Sequence, residues 1–268
     1  ALSSKNGASK IALRMDDVGA STKKYEIYSK RRLVIRGREV FNGNWLFFKY
    51  LPFFSAWGPY RELDTFDWKQ ILQLLEKRSA KLTIAVTATW VTSEGILVPF
   101  PQKYPNVAAV IKEGVEQGLI EIANHGLTHC IVAKNQFRPK LLTGNRQFHR
   151  EFTERLSPKE HFVHIQRANE ILTKYFHEDI VTLVPPGNKF TEDTLIAAAK
   201  LGIRYVSCNT SPATAYGLKL LGNKSTLVFH DRDIVKKGIT WLDRLLQNVS
   251  GLEKVFVRDL GANPILES

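Results

Sequence analysis

Two short segments carry side chains that can bind metals or move protons. Asp16 and Asp17 are adjacent carboxylates that follow an apolar run beginning at Ile11. On extended backbone, neighbouring side chains point in opposite directions, so the two carboxylates are expected to have different tasks. Two ionised carboxylates close together also favour a nearby cation. Taken alone, however, the pair is more typical of a turn in solvent.

Histidines supply the second kind of reactive side chain. His125 and His129 stand four residues apart in the segment His-Gly-Leu-Thr-His. Two imidazoles share one face at this spacing if the segment is helical or turn-like, and imidazole with carboxylate suits zinc, cobalt or iron. His230 follows the apolar segment 227–229 and is a candidate acid or base. For each of these residues the alternative is an ordinary structural histidine.

Such a set of side chains is sufficient for metal-assisted hydrolysis. A divalent metal with three protein ligands keeps positions open for water and substrate, and it lowers the pKa of that water from ~15.7 to ~7. A nearby carboxylate can take the proton, and a nearby histidine can protonate the leaving group. The chemistry that these residue types predict is therefore hydrolysis of an amide or ester.

The elements that must position these residues alternate between strands and helices. Strands are predicted at 11–15, 81–87, 119–123, 180–184, 203–207, 227–229 and 255–257, and helices at 67–79, 106–117, 158–176, 192–201 and 234–247. This alternation predicts a mainly parallel sheet, either a barrel or a doubly wound sheet. The reactive groups come directly after three strands, and strand C-termini form the active face of an α/β barrel. We therefore expect the three groups to converge.

In this order the motifs resemble the polysaccharide deacetylase family, also called the NodB-homology domain or carbohydrate esterase family four. The family's TFDDG motif corresponds to 14–19, its H-[ST]-x-x-H motif to 125–129, its proline loop to 184–187, and its final strand with histidine to 227–230. The resemblance extends over about 11–257, which is most of the chain.

The resemblance implies a deformed (β/α) barrel with about seven parallel strands. It implies that Asp17, His125 and His129 bind one divalent metal, with zinc expected first and cobalt, nickel or iron as alternatives. It also implies that Asp16 is the general base and that His230 is the general acid for the departing amine. The substrate that it implies is an N-acetylated or O-acetylated sugar.

Two motifs depart from the family pattern. The family usually places an arginine before the prolines of its third motif, where it orients the catalytic base, but Leu183 and Val184 occupy that stretch here. Arg14, two residues from Asp16 on the same predicted strand, is a candidate substitute. Gly126 stands where serine or threonine is usual. These differences indicate a divergent member.

Two further segments are expected near the active face. An aromatic-rich insert at about 23–62 contains Trp45 and Trp57, which could stack on sugar or dock on a lipid carrier at a membrane. A small satellite core is the favoured interpretation of most of its aromatic residues. A basic loop at about 131–157 either binds an anionic substrate or is simply solvated. The candidate substrate contacts are Arg14, Pro186, Asn188 and Trp45.

The composition favours a single globular domain over 1–268. The 268 residues are 44% hydrophobic and 24% charged, which is ordinary for a globular protein. Cys130 and Cys208 are the two cysteines, so a disulfide framework is excluded and a reducing compartment is favoured. We find no apolar leader and no segment near the ~20 apolar residues that span a bilayer. A cytoplasmic location is expected, with the inner membrane surface as an alternative.

The formal net charge of +12 attracts anions such as acidic glycans, lipid head groups or nucleic acid. Nucleic acid is not expected, because the sequence has no basic helix face, zinc-finger spacing or aromatic RNA-binding motif. The predicted function is removal of an acetyl group from a sugar, anionic or lipid-linked, in bacterial surface-polysaccharide (O-antigen) biosynthesis. The alternatives are a glycan-binding barrel with little or no activity and a metal-dependent amidohydrolase for another acyl group.

Overall fold

The structure is a computed structural model that describes residues 9–45, 47–56, 60–141 and 144–262, without the side chain of Ala262. The strands are β1 (Lys10–Val18), β2 (Arg32–Ile35), β3 (Arg38–Asn42), β4 (Leu82–Val86), β5 (Thr89–Val91), β6 (Leu97–Pro99), β7 (Ile120–Asn124), β8 (Thr182–Leu183), β9 (Tyr205–Ser207), β10 (Ala213–Ala215), β11 (Leu218–Leu221), β12 (Thr226–His230) and β13 (Glu253–Val255). The helices are α1 (Thr22–Tyr25), α2 (Thr65–Lys77), α3 (Phe100–Lys103), α4 (Pro105–Glu116), α5 (Pro158–Phe176), α6 (Glu192–Lys200), α7 (Asp231–Lys237), α8 (Ile239–Asn248) and α9 (Val257–Ala262).

One mainly parallel sheet organises the described residues. Its strand order is β10-β11-β9-β8-β7-β4-β1-β12, and β13 also pairs with β1. The β10–β11 pair is antiparallel, whereas the other pairs of this sheet are parallel. The hairpins β2–β3 and β5–β6 form separate two-stranded sheets. The α/β fold expected from the alternation of elements is confirmed.

The central strands are buried, and apolar residues predominate in β4. All five residues of β4 are buried, as is β1 from Ala12 onward. Parallel strands that are covered on both faces have this composition. A capping box at Ser157 begins the predicted helix α5, since the Ser157 side chain accepts the Glu160 N–H and Pro158 occupies the first helical position. Among the described residues, none of the helices has the length and hydrophobicity that a bilayer span requires.

Two predicted elements differ from the structure. The single helix predicted at 234–247 is wrong, because Gly238, with φ of 75°, separates α7 from α8. Within the insert the structure forms the hairpin β2–β3, whose turn uses Arg36 and Gly37, which both have positive φ. The last predicted strand ends at Val255, and α9 begins two residues later.

Candidate metal centre

The carboxyl ends of β1 and β12 bring the first and last motifs together. Asp16 lies opposite His230 in the strand register. Asp17 has φ of 71°, and the pairing of β1 with β4 shifts register between Met15 and Val18. Such irregularities re-aim side chains next to active sites. The two carboxylates therefore line one cavity, and the opposite orientations expected of a regular strand do not occur.

Asp17, His125 and His129 form a cluster whose ligand atoms all lie within 4.8 Å of one another. Asp17 Oδ1 is 3.3 Å from His125 Nε2 and 3.1 Å from His129 Nε2. The second ring nitrogen of each histidine is already engaged, because His125 Nδ1 donates to Val184 O at 2.6 Å and His129 Nδ1 is 3.1 Å from Thr22 Oγ1. Such outer contacts fix the orientation of metal-binding imidazoles. The geometry fits a divalent metal.

The charges of this cluster also fit a metal. Burial raises the pKa of Asp17, but the guanidinium of Arg232, which contacts Asp17 Oδ2, and nearby histidines outweigh it. The pKa of Asp17 therefore lies well below its usual value. Burial lowers the pKa of His129. An ionised carboxylate beside a neutral imidazole is a typical donor set for zinc.

Glu151 holds the backbone that carries the two histidines. Its fully buried carboxylate accepts the N–H groups of Leu127 at 3.0 Å, Thr128 at 3.0 Å and His129 at 2.7 Å. His164 Nδ1 donates to the same carboxylate at 2.6 Å. Burial raises the pKa of Glu151, but these donors outweigh it, so the pKa lies below its ordinary value. Sequence reasoning missed this residue.

The same carboxylate explains the glycine in the second motif. A Cβ on Gly126 would collide with Glu151 Oε2, and Gly126 has φ of 86°. Both observations require glycine. Pro186 is buried, and its Cγ would lie 3.4 Å from that Cβ. Pro186 thus packs on the histidine loop and is not among the residues that line the cavity.

Arg14 donates two parallel hydrogen bonds to the Asp16 carboxylate. Arg14 Nε lies 2.8 Å from Asp16 Oδ1, and Arg14 Nη2 lies 2.9 Å from Asp16 Oδ2. Arg14 Nη1 donates to Ser207 Oγ at 2.8 Å. Arg14 is fully buried and does not line the cavity, so it contacts Asp16 in place of the expected contact with substrate.

His230 stands at the junction of β12 and α7. Its Nδ1 lies 3.7 Å from Asp233 Oδ2, and its backbone N–H donates to the same oxygen at 3.0 Å. Burial lowers the pKa of His230, but the negative charge of Asp17 and the side-chain contact with Asp233 outweigh it, and the pKa lies above its ordinary value. A protonated imidazole at the cavity can give up a proton.

The cavity holds about 250 Å³. Its lining residues are Asp16, Asp17, Glu26, His125, His129, Arg146, His149, Arg150, Gly187, Asn188, His230 and Arg232. Sequence reasoning missed Glu26, Arg146, His149, Arg150 and Arg232 as individual site residues. Arg146, His149 and Arg150 lie in the predicted basic loop, which was a signal for them. Arg232 stands two residues after His230, the predicted general acid.

The predicted substrate contacts on loops divide into two groups. Asn188 lines the cavity, although its Oδ1 already accepts the Asn209 N–H at 2.9 Å. Trp45 does not line it: the indole is 42% exposed and packs edge-on against Phe41, with ring centroids 6.3 Å apart. The turn after β3 keeps Trp45 within the insert. Trp57 lies outside the described residues.

The sequence profile of the family described as polysaccharide deacetylase matches residues 58–206, which is more than half of the chain. The chain belongs to this family. The match includes His125 and His129, whereas Asp16, Asp17 and His230 lie outside it. Among curated protein sequences, none matches the chain.

Solved structures share the fold of this polysaccharide deacetylase family member at low sequence identity. A carbohydrate esterase family 4 pseudoenzyme from Bacillus anthracis has 14% identity and a TM-score of 0.51, over 95% of this chain. The chain spans just under two thirds, 66%, of that protein. The family 4 domain of a multidomain xylanase from the hindgut metagenome of Trinervitermes trinervoides has 14% identity and a TM-score of 0.50, over 97% of this chain and 95% of its own. These likenesses concern the fold, which is the barrel-like α/β fold expected from the sequence.

Proposed function

We propose that this protein is a metal-dependent hydrolase that removes an acetyl group from an acetylated sugar. One observation carries the proposal: Asp17, His125 and His129 present clustered ligand atoms in a cavity that Asp16 and His230 also line. A protein that only binds glycans does not need all five side chains. Membership of the family supports the carbohydrate substrate and the acetyl group.

Asp17, His125 and His129 are the residues that would hold the metal. When bound, a divalent ion supplies Lewis acidity, which lowers the pKa of water and polarises a carbonyl oxygen. Zinc suits two neutral imidazoles and a carboxylate, and cobalt, nickel or iron are the alternatives. Arg232 contacts one oxygen of Asp17 and leaves the other facing both imidazoles.

Asp16 and His230 are the groups that would move protons. The two hydrogen bonds from Arg14 fix the Asp16 carboxylate, and each of its oxygens keeps a second lone pair. Asp16 can therefore take a proton from the attacking water. His230 lines the same cavity, so its protonated imidazole can donate a proton to the leaving nitrogen. The guanidinium that the family supplies from its third motif comes here from β1.

The substrate that we propose is an anionic or lipid-linked glycan, as in bacterial surface-polysaccharide (O-antigen) biosynthesis. Arg150 is half-buried in the cavity, and it has no hydrogen bond or ion pair within the described residues. Its side chain lies against Gly187. A guanidinium in this position suits a carboxylate or phosphate. Arg146 also lines the cavity, and its Nε lies 3.4 Å from Glu26 Oε1.

The experiment is to measure acetate release from matched neutral and acidic acetylated sugars by the metal-loaded protein. We expect release, with a higher kcat/KM for the acidic sugars. Arg150→Gln should remove that preference while release from neutral sugars persists. A metal-loaded protein that releases no acetate from any N-acetylated or O-acetylated sugar would contradict the proposal, and release of a different acyl group would favour the amidohydrolase alternative.

A glycan-binding protein without catalysis is the second candidate. The missing arginine of the third motif favours it, because Leu183 and Val184 stand in that stretch. The bidentate contact from Arg14 to Asp16 opposes it. Glycan binding that persists in an Asp16→Asn variant, without turnover by the wild type, would support the second candidate.

A further inference from the structure

The aromatic-rich insert exposes an unusual amount of apolar surface. Of the thirteen large apolar side chains that are highly exposed in the described part of the chain, nine lie between Leu33 and Phe53. They are Leu33, Val34, Ile35, Val40, Trp45, Phe47, Tyr50, Leu51 and Phe53. The expected satellite core exists in part, because the rings of Phe41, Phe48 and Phe54 pack on one another with centroids 5.3–5.6 Å apart. The exposed aromatic residues named above lie around this core and keep at least 41% of their surface accessible. A large exposed apolar patch of this kind is typical of a surface that binds a protein, a membrane or another ligand.

The hairpin β2–β3 contributes the most exposed part of this surface. Every residue of β2 is exposed, and the hairpin pairs with no other described strand. A two-stranded hairpin with apolar residues on both faces is marginal in water. Phe53 lies at its base, since Arg31 Nε donates to Phe53 O at 2.9 Å and the guanidinium covers the Phe53 ring at 3.9 Å.

The charges around these apolar side chains are almost all positive. Exposed basic residues in the described part of 27–56 are Lys30, Arg31, Arg32, Arg36 and Arg38, whereas Glu39 is the acidic residue there with an exposed side chain. Five positive charges against one favour an anionic surface and oppose docking of a second, equally charged copy. We call the described residues of 30–53 the basic apolar surface.

We propose that the basic apolar surface docks on an anionic phospholipid bilayer. Val34, Ile35 and Phe53 would enter the boundary between headgroups and acyl chains, while Arg36 and Arg38 would contact lipid phosphates. The apolar side chains would be buried in the bilayer, and the arginines would be attracted to the anionic headgroups. Together these two effects give reversible binding to the membrane. The inference goes beyond the hydrolytic function and does not depend on it.

The basic apolar surface lies next to the cavity of the candidate metal centre. Arg32 and Arg146 line a groove together with Tyr28 and Asn44, and Arg146 also lines the metal-centre cavity. Docking through the hairpin would therefore bring the cavity close to the lipid headgroups, where a substrate attached to a lipid would be presented.

The test is flotation of the full chain with vesicles at low salt. We expect the protein to float with vesicles that contain phosphatidylglycerol and to remain unbound with vesicles of phosphatidylcholine alone. Added salt should release it, because surface charges are screened. A protein that floats with neither kind of vesicle at low salt would overturn the proposal.

Matched variants test the two components of the surface. Val34→Ser/Ile35→Ser should lower the vesicle partition coefficient roughly tenfold, and Arg36→Gln/Arg38→Gln should lower it roughly 30-fold. The controls are Ile96→Ser, an exposed residue outside the insert, and Lys174→Gln/Lys200→Gln on exposed helix positions. Phe53→Ser and Phe66→Ser form a further pair, since both rings are 68% exposed.

Two outcomes of the variant series would overturn docking by insertion. If the control variants lose vesicle binding as much as the hairpin variants, the attraction belongs to the whole charge of the protein. If the wild type dimerises in sedimentation experiments and Val34→Ser/Ile35→Ser makes it monomeric without changing flotation, the surface is an interface between copies. Thermal unfolding of each variant verifies that the fold is retained.

Discussion

The candidate metal centre and the basic apolar surface differ in what surrounds their side chains. At the metal centre, buried charges meet several partners: Asp17 contacts two histidines and an arginine, and Glu151 accepts four hydrogen bonds. In the hairpin, apolar side chains lie in solvent. Burying charge and exposing apolar area are both costly. The contrast indicates that each region is shaped for a ligand, one inside a cavity and one across a surface.

The largest effect is expected from Asp16→Asn. The variant keeps the shape of the side chain but removes the base, so kcat/KM for an acetylated sugar should fall by roughly 10²–10⁴-fold while metal content stays unchanged. The control is Glu121→Gln, a buried carboxylate that accepts from Thr83 and Thr182 and lies outside the cavity. Nearly full activity in Asp16→Asn would assign the proton transfer to another group.

The next effect concerns the loop that Glu151 holds. Glu151→Gln replaces one acceptor oxygen by an NH2 donor that faces N–H groups, so the histidine loop should loosen and the metal dissociation constant should rise by about 10–100-fold. Competition with a chelator measures this constant, and Glu121→Gln again serves as the control. If Glu151→Gln lowers only the melting temperature and leaves metal affinity unchanged, Glu151 stabilises the fold without positioning the ligands.

A smaller effect is expected from the pH dependence of the Glu151–His164 pair. Burial lowers the pKa of His164, but Glu151 outweighs it, and the pKa in the folded state lies above its ordinary value. Because the pKa is raised on folding, the stability from this pair is fully present below about pH 6.5 and is lost as pH rises through the folded pKa.

Urea unfolding of the metal-free wild type and His164→Gln across this range measures the effect. We expect the difference in free energy of unfolding to shrink from mildly acidic to alkaline pH. A difference that grows with pH would show that His164 is neutral in the folded protein.

The smallest effect is expected in the hairpin. Val34→Ser/Ile35→Ser should change the free energy of unfolding by no more than about 0.5 kcal/mol per residue, since both side chains are exposed. Ile84→Ala in β4, whose side chain is fully buried, should cost about 2–5 kcal/mol. Equal losses in the two variants would mean that the hairpin packs against the body of the protein and would remove the contrast between the two regions.

The fold was predictable where local signals agree. Strand β4 and the first half of β1 are mainly apolar, and α5 has a capping box with Pro158 at its first position, so pattern and structure coincide. The break at Gly238 was missed, because glycine inside an amphipathic pattern is compatible with either a continuous or an interrupted helix.

The site was predictable where residues follow strands and less so where loops fold over them. The metal cluster and Asp16 converge because parallel strands end at one face. Glu151 reaches the histidine loop only through the tertiary fold, although one signal existed: it is the first acidic residue after Glu121. The placement of Trp45 was unpredictable for the same reason, since the path of the insert depends on its turns.

Metal content is the most direct test of the central claim. Elemental mass spectrometry of the purified protein, after incubation with zinc, cobalt or nickel, should give about one divalent ion per chain. His125→Ala/His129→Ala should lose it, while His177→Asn, at an exposed histidine outside the cavity, should keep it. Absence of metal from the wild type, or equal metal in the double variant, would contradict the assignment of Asp17, His125 and His129 as its ligands.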